Sequence, residues 1–266
     1  MVASLLYNLN HAPLWRGEME VWERRMAAAS LDRLLYLRLH RSGWMGREEA
    51  QLLHKLIRPG MRIVDVGANV GLYALLMAQL AGPDGSVLAF EPEPNLFAML
   101  VANCTRNAAD KVAPIARALG RANGDNTFHR SAFNSGDNRL SAASSVHAPV
   151  EVQVVRFDDL GFSSAVDFIK IDVQGHELDV LAGMEQALAA NPQVRVLFEF
   201  CPAAVRRAGG APDELLRFFT DREFQLYRID RAEPCLVADV ELLIASLRGN
   251  RYINLLASRA PLPESA

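Results

Sequence analysis

The sequence predicts an α/β fold built on a mostly parallel sheet with helices on both faces. Three observations predict it. From Met61 onward, short β-rich runs alternate with apolar helical runs. A glycine-rich turn joins the first of these strands to its helix. After an interruption rich in Asn, Gly, Ser and Asp, the same rhythm resumes near residue 167. Strands and helices at this spacing form βαβ units with right-handed crossovers. The 266 residues, half of them hydrophobic, suffice for one well-cored domain and an appendage.

In chain order, residues 17–58 carry Ala, Leu, Arg and Glu at helical spacing, broken at Ser42-Gly43. Residues 47–57 place Ala50, Leu53, Leu56 and Ile57 on one face, and Pro59-Gly60 ends that helix. Residues 1–58 are therefore an N-terminal helical segment, and residues 59–260 the main domain. Within it, strands are expected over residues 61–66, 86–91 and 112–119, and helices over 71–81 and 94–107. Residues 120–160 form an insertion with extended pieces at 127–130 and 151–157 and a loop at 134–145; insertions of this length are often functional. A strand over 167–172, a helix over 177–190, a strand over 194–200 and a helix over 212–222 follow. Two strands, 224–229 and 252–257, close the sheet around a short helix at 240–247.

Composition narrows the function. The net charge is −3 with no basic stripe, so nucleic acid is not an expected partner. No apolar stretch reaches the ~18 residues that a membrane span needs. The N-terminal apolar run is too short for a signal-peptide core. Cys104, Cys201 and Cys235 are widely spaced with no metal-binding pattern, which fits small buried side chains in a reducing cytoplasm.

The chemistry concentrates at strand ends. In Asp65-Val66-Gly67-Ala68-Asn69-Val70-Gly71, Gly67 permits a sharp turn and close ligand approach, and Gly71 a tight helix start. The spacing departs from G-x-G-x-x-G, and a carboxylate at Asp65 repels phosphate but suits an ammonium group. Glu91, at the end of the second strand, is placed to accept hydrogen bonds from ribose hydroxyls. The two together indicate an adenosine cofactor, S-adenosylmethionine (SAM) before NAD. Asp172 ends a later strand at the sheet edge where open α/β sheets bind ligands. His176 stands at the next helix start, either as a base that deprotonates a hydroxyl or as a helix cap beside Glu177. Glu199 nearly ends the adjacent strand. Asp172 and Glu199 either orient a substrate hydroxyl or bind a hard divalent ion, and without a third ligand the metal is not favoured. The loop from Ser135 to Leu140 is a surface turn or a substrate lid.

The runs DVGANVG, FEPEPNLFAMLVANC, SGDNRL, VQVVRFDDL and DFIKIDVQGHELDVLAGM, in this order, resemble the FkbM family of SAM-dependent methyltransferases over roughly residues 58–200. The resemblance implies a class I, Rossmann-like methyltransferase sheet of seven strands, the last antiparallel. It also implies O-methylation of sugar or polyketide hydroxyls. Carried over, Asp65, Gly67, Ala68, Asn69, Gly71, Glu91 and Asp172 would line the SAM site. Asp172, His176, Glu177 and Glu199 match the later signatures. The return strand reads RFDDL where the family often has a Thr before the acids. The N-terminal helices, which carry no motif, are left to cover the site or to pair two subunits. The rival readings are a dehydrogenase on a related sheet, which would need G-x-G-x-x-G, and a SAM-binding partner protein without catalysis.

Overall fold

The computed structural model describes residues 18–27, 47–131, 147–162, 165–260 and 262. The expected loop at 134–145, with its SGDNRL run, lies outside these, as does most of the expected N-terminal helix.

Within the segment expected to be helical, residues 18–27 form a β-hairpin: β1 (Glu18–Val21) pairs antiparallel with β2 (Arg24–Ala27). Trp22 and Glu23 make the two-residue loop with φ of 50° and 63°, the geometry that matches strand twist. Met, Glu and Arg favour helix, but tertiary contacts override that preference here. Val21 and Met26 are buried in the core. α1 (Arg47–Leu56) then buries Ala50, Leu52, Leu53 and Leu56.

The main sheet begins with β3 (Arg62–Val66), α2 (Leu72–Ala81), β4 (Ser86–Phe90), α3 (Pro94–Arg106) and β5 (Val112–Ile115). Two asparagines on and just after α3 hold the hairpin: Asn103 Oδ1 accepts from the Ala27 amide at 3.1 Å and Asn107 Oδ1 from the Arg25 amide at 2.9 Å. The strand expected over 112–119 is cut short, because the Arg117 amide turns back to the Ile115 carbonyl. Its remainder, β6 (Ala118–Leu119), joins β7 (Gly124–Ser131) and β8 (His147–Val155) in a separate three-stranded sheet. A 3-10 turn (Phe157–Leu160) roots this insertion, with Phe157 edge-on to Phe90 at 6.2 Å.

The chain continues through β9 (Phe168–Ile171), α4 (Glu177–Ala182), α5 (Glu185–Ala190), β10 (Arg195–Phe200), α6 (Pro202–Arg207), α7 (Pro212–Thr220), β11 (Gln225–Asp230), β12 (Glu233–Leu236), α8 (Val240–Ser246) and β13 (Ile253–Ser258). The single helix expected over 177–190 breaks at Gly183, where a Cβ would lie 2.1 Å from the Gly120 carbonyl. Asp158 restarts it by accepting the Gln186 and Ala187 amides, each at 3.0 Å. The sheet order is β12-β11-β13-β10-β9-β3-β4-β5. β5, β4, β3, β9 and β10 run parallel, and β13 is antiparallel to both β10 and β11. This is the expected class I sheet of seven strands, with β12 added at its edge.

Side chains alternate across each strand. Ile63, Phe168, Leu197 and Leu256 face one apolar layer with α1, α2, α3 and the hairpin. Val64, Ile169, Val196 and Leu255 face the other, with residues of α4 to α7. Among the described residues no helix is long and apolar enough to cross a membrane.

Candidate active site

On the first of these faces the apolar columns all turn polar at the same edge. Two residues beyond Ile63 is Asp65, beyond Phe168 is Lys170, and beyond Leu197 is Glu199; two before Leu256, on the antiparallel strand, is Asn254. Asp65 pairs with Lys170 in register, and Glu199 with Asn254. The fold thus lays a polar stripe along the carboxyl edge of four adjacent strands.

Lys170 is central to the stripe. Its Nζ lies 3.4 Å from Asp172 Oδ2, 3.9 Å from Asp65 Oδ1 and 4.7 Å from the centre of the Tyr73 ring. Asp65 is fully buried, and neither carboxylate oxygen has a hydrogen-bond partner. Burial pushes its carboxyl up to about 6, against the pull of Lys170. The Gln174 amide nitrogen bridges Asp172 Oδ1 and Glu199 Oε1, both at 3.1 Å. Burial, with Asp172 and Glu177 nearby, pushes Glu199 up to about 8.

The glycine turn uses up its own amides. Gly67 and Ala68 both donate to the Phe90 carbonyl, Asn69 donates to Glu91 Oε2 at 2.9 Å, Val70 to Asn69 Oδ1, and Gly71 to the Ala68 carbonyl. No amide from 67 to 71 is left to cradle a pyrophosphate, which removes the physical basis of the dehydrogenase reading. Gly67, at φ 82°, is needed for a neighbour other than a ligand: a Cβ there would lie 2.1 Å from the Asp172 carbonyl. A Cβ on Gly71 would meet Leu100 of α3 at 2.6 Å. Both glycines therefore shape the turn and its packing.

Glu91 is held from two sides, by the Asn69 amide and by the Glu93 amide at 2.9 Å. Burial pushes it up to about 8, these two bonds pulling the other way. Glu93 in turn caps α3, accepting the Leu96 amide at 2.7 Å.

His176 stands at the first position before α4 without a side-chain cap bond. Its Nδ1 is 3.1 Å from Asp179 Oδ2, and Asp179 also accepts from Arg121 Nε at 2.5 Å. These contacts hold the Asp179 carboxyl below its usual range. Nε2 of His176 is buried with no hydrogen-bond partner. Glu177 is buried, gives one oxygen to the Gly175 amide at 3.0 Å, and is pushed by burial up to about 7.

The structure thus brings Asp65, Asp172 and Glu199 together around Lys170, sets Glu91 beside the turn, and places His176 in its own pair with Asp179. The residues the sequence reading missed are Lys170, Gln174, Asp179, Tyr73 and Asn254. Lys170 had a signal: a lone charge inside a strand whose four residues are all buried. Among the described residues no group of three or more His, Cys, Asp or Glu is arranged to hold a metal ion.

Four raised carboxyls have a consequence for stability. A folded chain that keeps protons which the unfolded chain releases is favoured at low pH, and the advantage fades as pH climbs through the folded pKa values. For Asp65, Glu177, Glu91 and Glu199 the loss opens at the ordinary carboxylate values, about 4, and is complete at about 6, 7, 8 and 8 in turn, so the last part of it falls between pH 6 and 8.5. The unliganded protein is expected to melt at a lower temperature at pH 8.5 than at pH 6. A thermal melt series that is flat or rising over this range would contradict burial of these groups.

The Methyltransferase FkbM domain profile matches residues 65–226, more than half of the chain. The chain belongs to the FkbM methyltransferase family. The hexuronic acid methyltransferase AglP of Haloferax volcanii is 35% identical to it, over 47% of this chain and 50% of that one. The 31-O-demethyl-FK506 methyltransferase FkbM of Streptomyces tacrolimicus is 32% identical, over 49% and 62%. The 2-O-methyltransferase NoeI of Sinorhizobium fredii is 30% identical, over 52% and 63%. The match covers less than two thirds of each of these relatives' length. The matched segment holds Asp65, the glycine turn, Glu91, Asp172, His176 and Glu199, and leaves α1 and β13 outside.

Proposed function

We propose that this protein is a SAM-dependent O-methyltransferase acting on a hydroxyl of a sugar or polyketide-type small molecule. The observation that carries the reading is that the family segment contains every strand-end acid that the fold gathers at one sheet edge. The three relatives, named for a hexuronic acid, 31-O-demethyl-FK506 and a 2-O position, support a hydroxyl acceptor.

The residues fit SAM. Asp65 offers two buried, unbonded oxygens on the Lys170 side of the turn, suited to a cationic methionine group. Glu91 spends one acceptor site on each oxygen, which leaves lone pairs for ribose hydroxyls. Bound there, SAM would supply an electrophilic methyl on a sulfonium sulfur to the acceptor oxygen, and the hydroxyl's proton would be left for the protein to take. His176 takes that proton through Nε2, with Asp179 fixing the ring through Nδ1 and Arg121 fixing Asp179. Asp172 and Glu199, tied through Gln174, orient the hydroxyl.

Calorimetric titration with SAM, and separately with NAD, tests the cofactor. Micromolar binding of SAM alone is expected, and NAD binding would overturn the reading. His176→Ala is expected to lower turnover by about 10²-fold or more, the range of a lost general base, while SAM affinity stays within about twofold. Unchanged turnover would reduce His176 to a helix-start residue and pass the base role to Glu199, whose raised carboxyl also suits neutral pH.

A further inference from the structure

The polar stripe does not stop where the family segment stops. Past Glu199 it crosses to Asn254 on β13, whose side-chain amide donates to Glu49 Oε1 on α1 at 2.5 Å. Glu49 and Asn254 are 205 positions apart, and both lie outside residues 65–226. Tyr73 of α2 sits between the two halves. Its ring lies against the Lys170 cation, and its phenol is raised first by burial and then by the charges of Glu49, Asp172 and Asp65 and by Tyr252. Tyr252, two residues before Asn254, is 58% exposed. Asp65 is at one end of this run and Glu49 at the other, with Lys170, Asp172, Gln174, Glu199 and Asn254 between.

The two ends differ in chemistry. Near Asp65 and Glu91 the groups are buried carboxyls, Glu91 held by two backbone amides and Asp65 with neither oxygen hydrogen-bonded. Around Glu199, Asn254 and Glu49 a carboxylate, an amide and a second carboxylate stand next to one another on three separate elements, with the Tyr73 ring on the neighbouring Lys170 and the exposed Tyr252 two residues before Asn254. An amide both donates and accepts, and a carboxylate accepts twice. Such a set satisfies two adjacent hydroxyls at once, and phenol rings offer a flat apolar face with a polar tip. A lone alcohol would leave part of it unpaired, at a cost in affinity.

We propose that Glu49 and Asn254 are specificity-determining residues: they hold the hydroxyl adjacent to the one presented to Glu199, which makes the acceptor a polyhydroxylated ring and not an isolated alcohol. This rests on the methyltransferase reading above. It places acceptor choice on α1 and β13, which the family segment excludes.

The test uses the full chain with SAM and three probes of similar ring size: methyl α-D-glucopyranoside, methyl β-D-glucuronide and cyclohexanol. The wild type is expected to methylate at least one glycoside and to leave cyclohexanol untouched. Glu49→Ala and Asn254→Ala are each expected to raise KM for the glycoside about tenfold or more, the size of one lost polar contact. kcat should stay within about threefold and the SAM Kd within about twofold, the latter reporting a folded cofactor half. Glu49→Gln, which keeps an acceptor oxygen, should recover most of the KM. An unchanged KM in both alanine variants overturns the proposal, as does turnover of cyclohexanol equal to that of the glycosides. SAM binding without turnover of either glycoside also overturns it, while the methyltransferase reading stands. Absence of SAM binding instead sinks that reading, and this proposal with it.

Discussion

Lys170→Met is expected to destabilise the protein by roughly 3–5 kcal/mol near pH 8, the range seen when one partner of a buried ion pair is removed. The cause is not the loss of attraction alone. Lys170 Nζ is the cation that the structure places near Asp65, 3.9 Å away, and Asp65 is fully buried without a hydrogen bond to either oxygen. Methionine fills similar volume but leaves that carboxylate without compensation. The chain's remaining recourse is to protonate it, which is easy in acid and costly in base. The loss should therefore shrink at pH 5.5. Urea denaturation of the variant and wild type at both values measures it. A loss below about 1 kcal/mol at pH 8, the size typical of solvated pairs, would mean that water already screens Asp65.

That lysine also shows what the sequence could and could not reveal. The parallel core was legible because β3, β4, β9 and β10 are short apolar runs ending in acids, and α2 is a nearly continuous apolar helix. Strand ends are local features, so Asp65, Glu91, Asp172 and Glu199 could be picked out one by one. What joins them is register, which is set by pairing between distant segments. Lys170 reaches Asp65 only because β9 lies beside β3, and Asn254 meets Glu199 only because β13 returns antiparallel.

The two hairpins were missed for a different reason. β1–β2 turns through Trp22-Glu23 and β11–β12 through Arg231-Ala232, all four residues at φ between 50° and 64°. Tight hairpins usually announce this backbone with Asn or Gly. Here neither is present, and the strain is supported by tertiary contacts such as those from Asn103 and Asn107. Helix-forming residues in β1 and β2 then point the wrong way. The long helix over 177–190 failed similarly, because its break depends on the Gly120 carbonyl, which comes from the insertion.

Glu91→Ala is expected to weaken SAM binding by about 10²-fold or more, with two charge-assisted hydrogen bonds each contributing roughly 1.5–3 kcal/mol. Glu91 is aimed by the Asn69 and Glu93 amides, one on each oxygen. Asn69 makes its bond from a left-handed backbone, φ 52°, that the glycine turn sets up. Turn and acid therefore act as one device: the turn spends its amides on Phe90 and Glu91, and Glu91 is left with lone pairs directed by that grip. Unliganded, the carboxyl sits at about 8, so at neutral pH it is largely protonated. Hydroxyl donors favour its ionised form, so binding should release a proton to the medium. Calorimetry at pH 7 in buffers of different ionisation enthalpy reads that release directly. The wild type should release a proton on SAM binding, and Glu91→Ala should lose most of that release along with its affinity. Glu91→Asp keeps the charge one methylene short, so it should release the proton while binding more weakly than wild type. If Glu91→Ala bound SAM as tightly as the wild type, the ribose contact would have to come from another residue, and the strand-end acid would serve only to hold the turn.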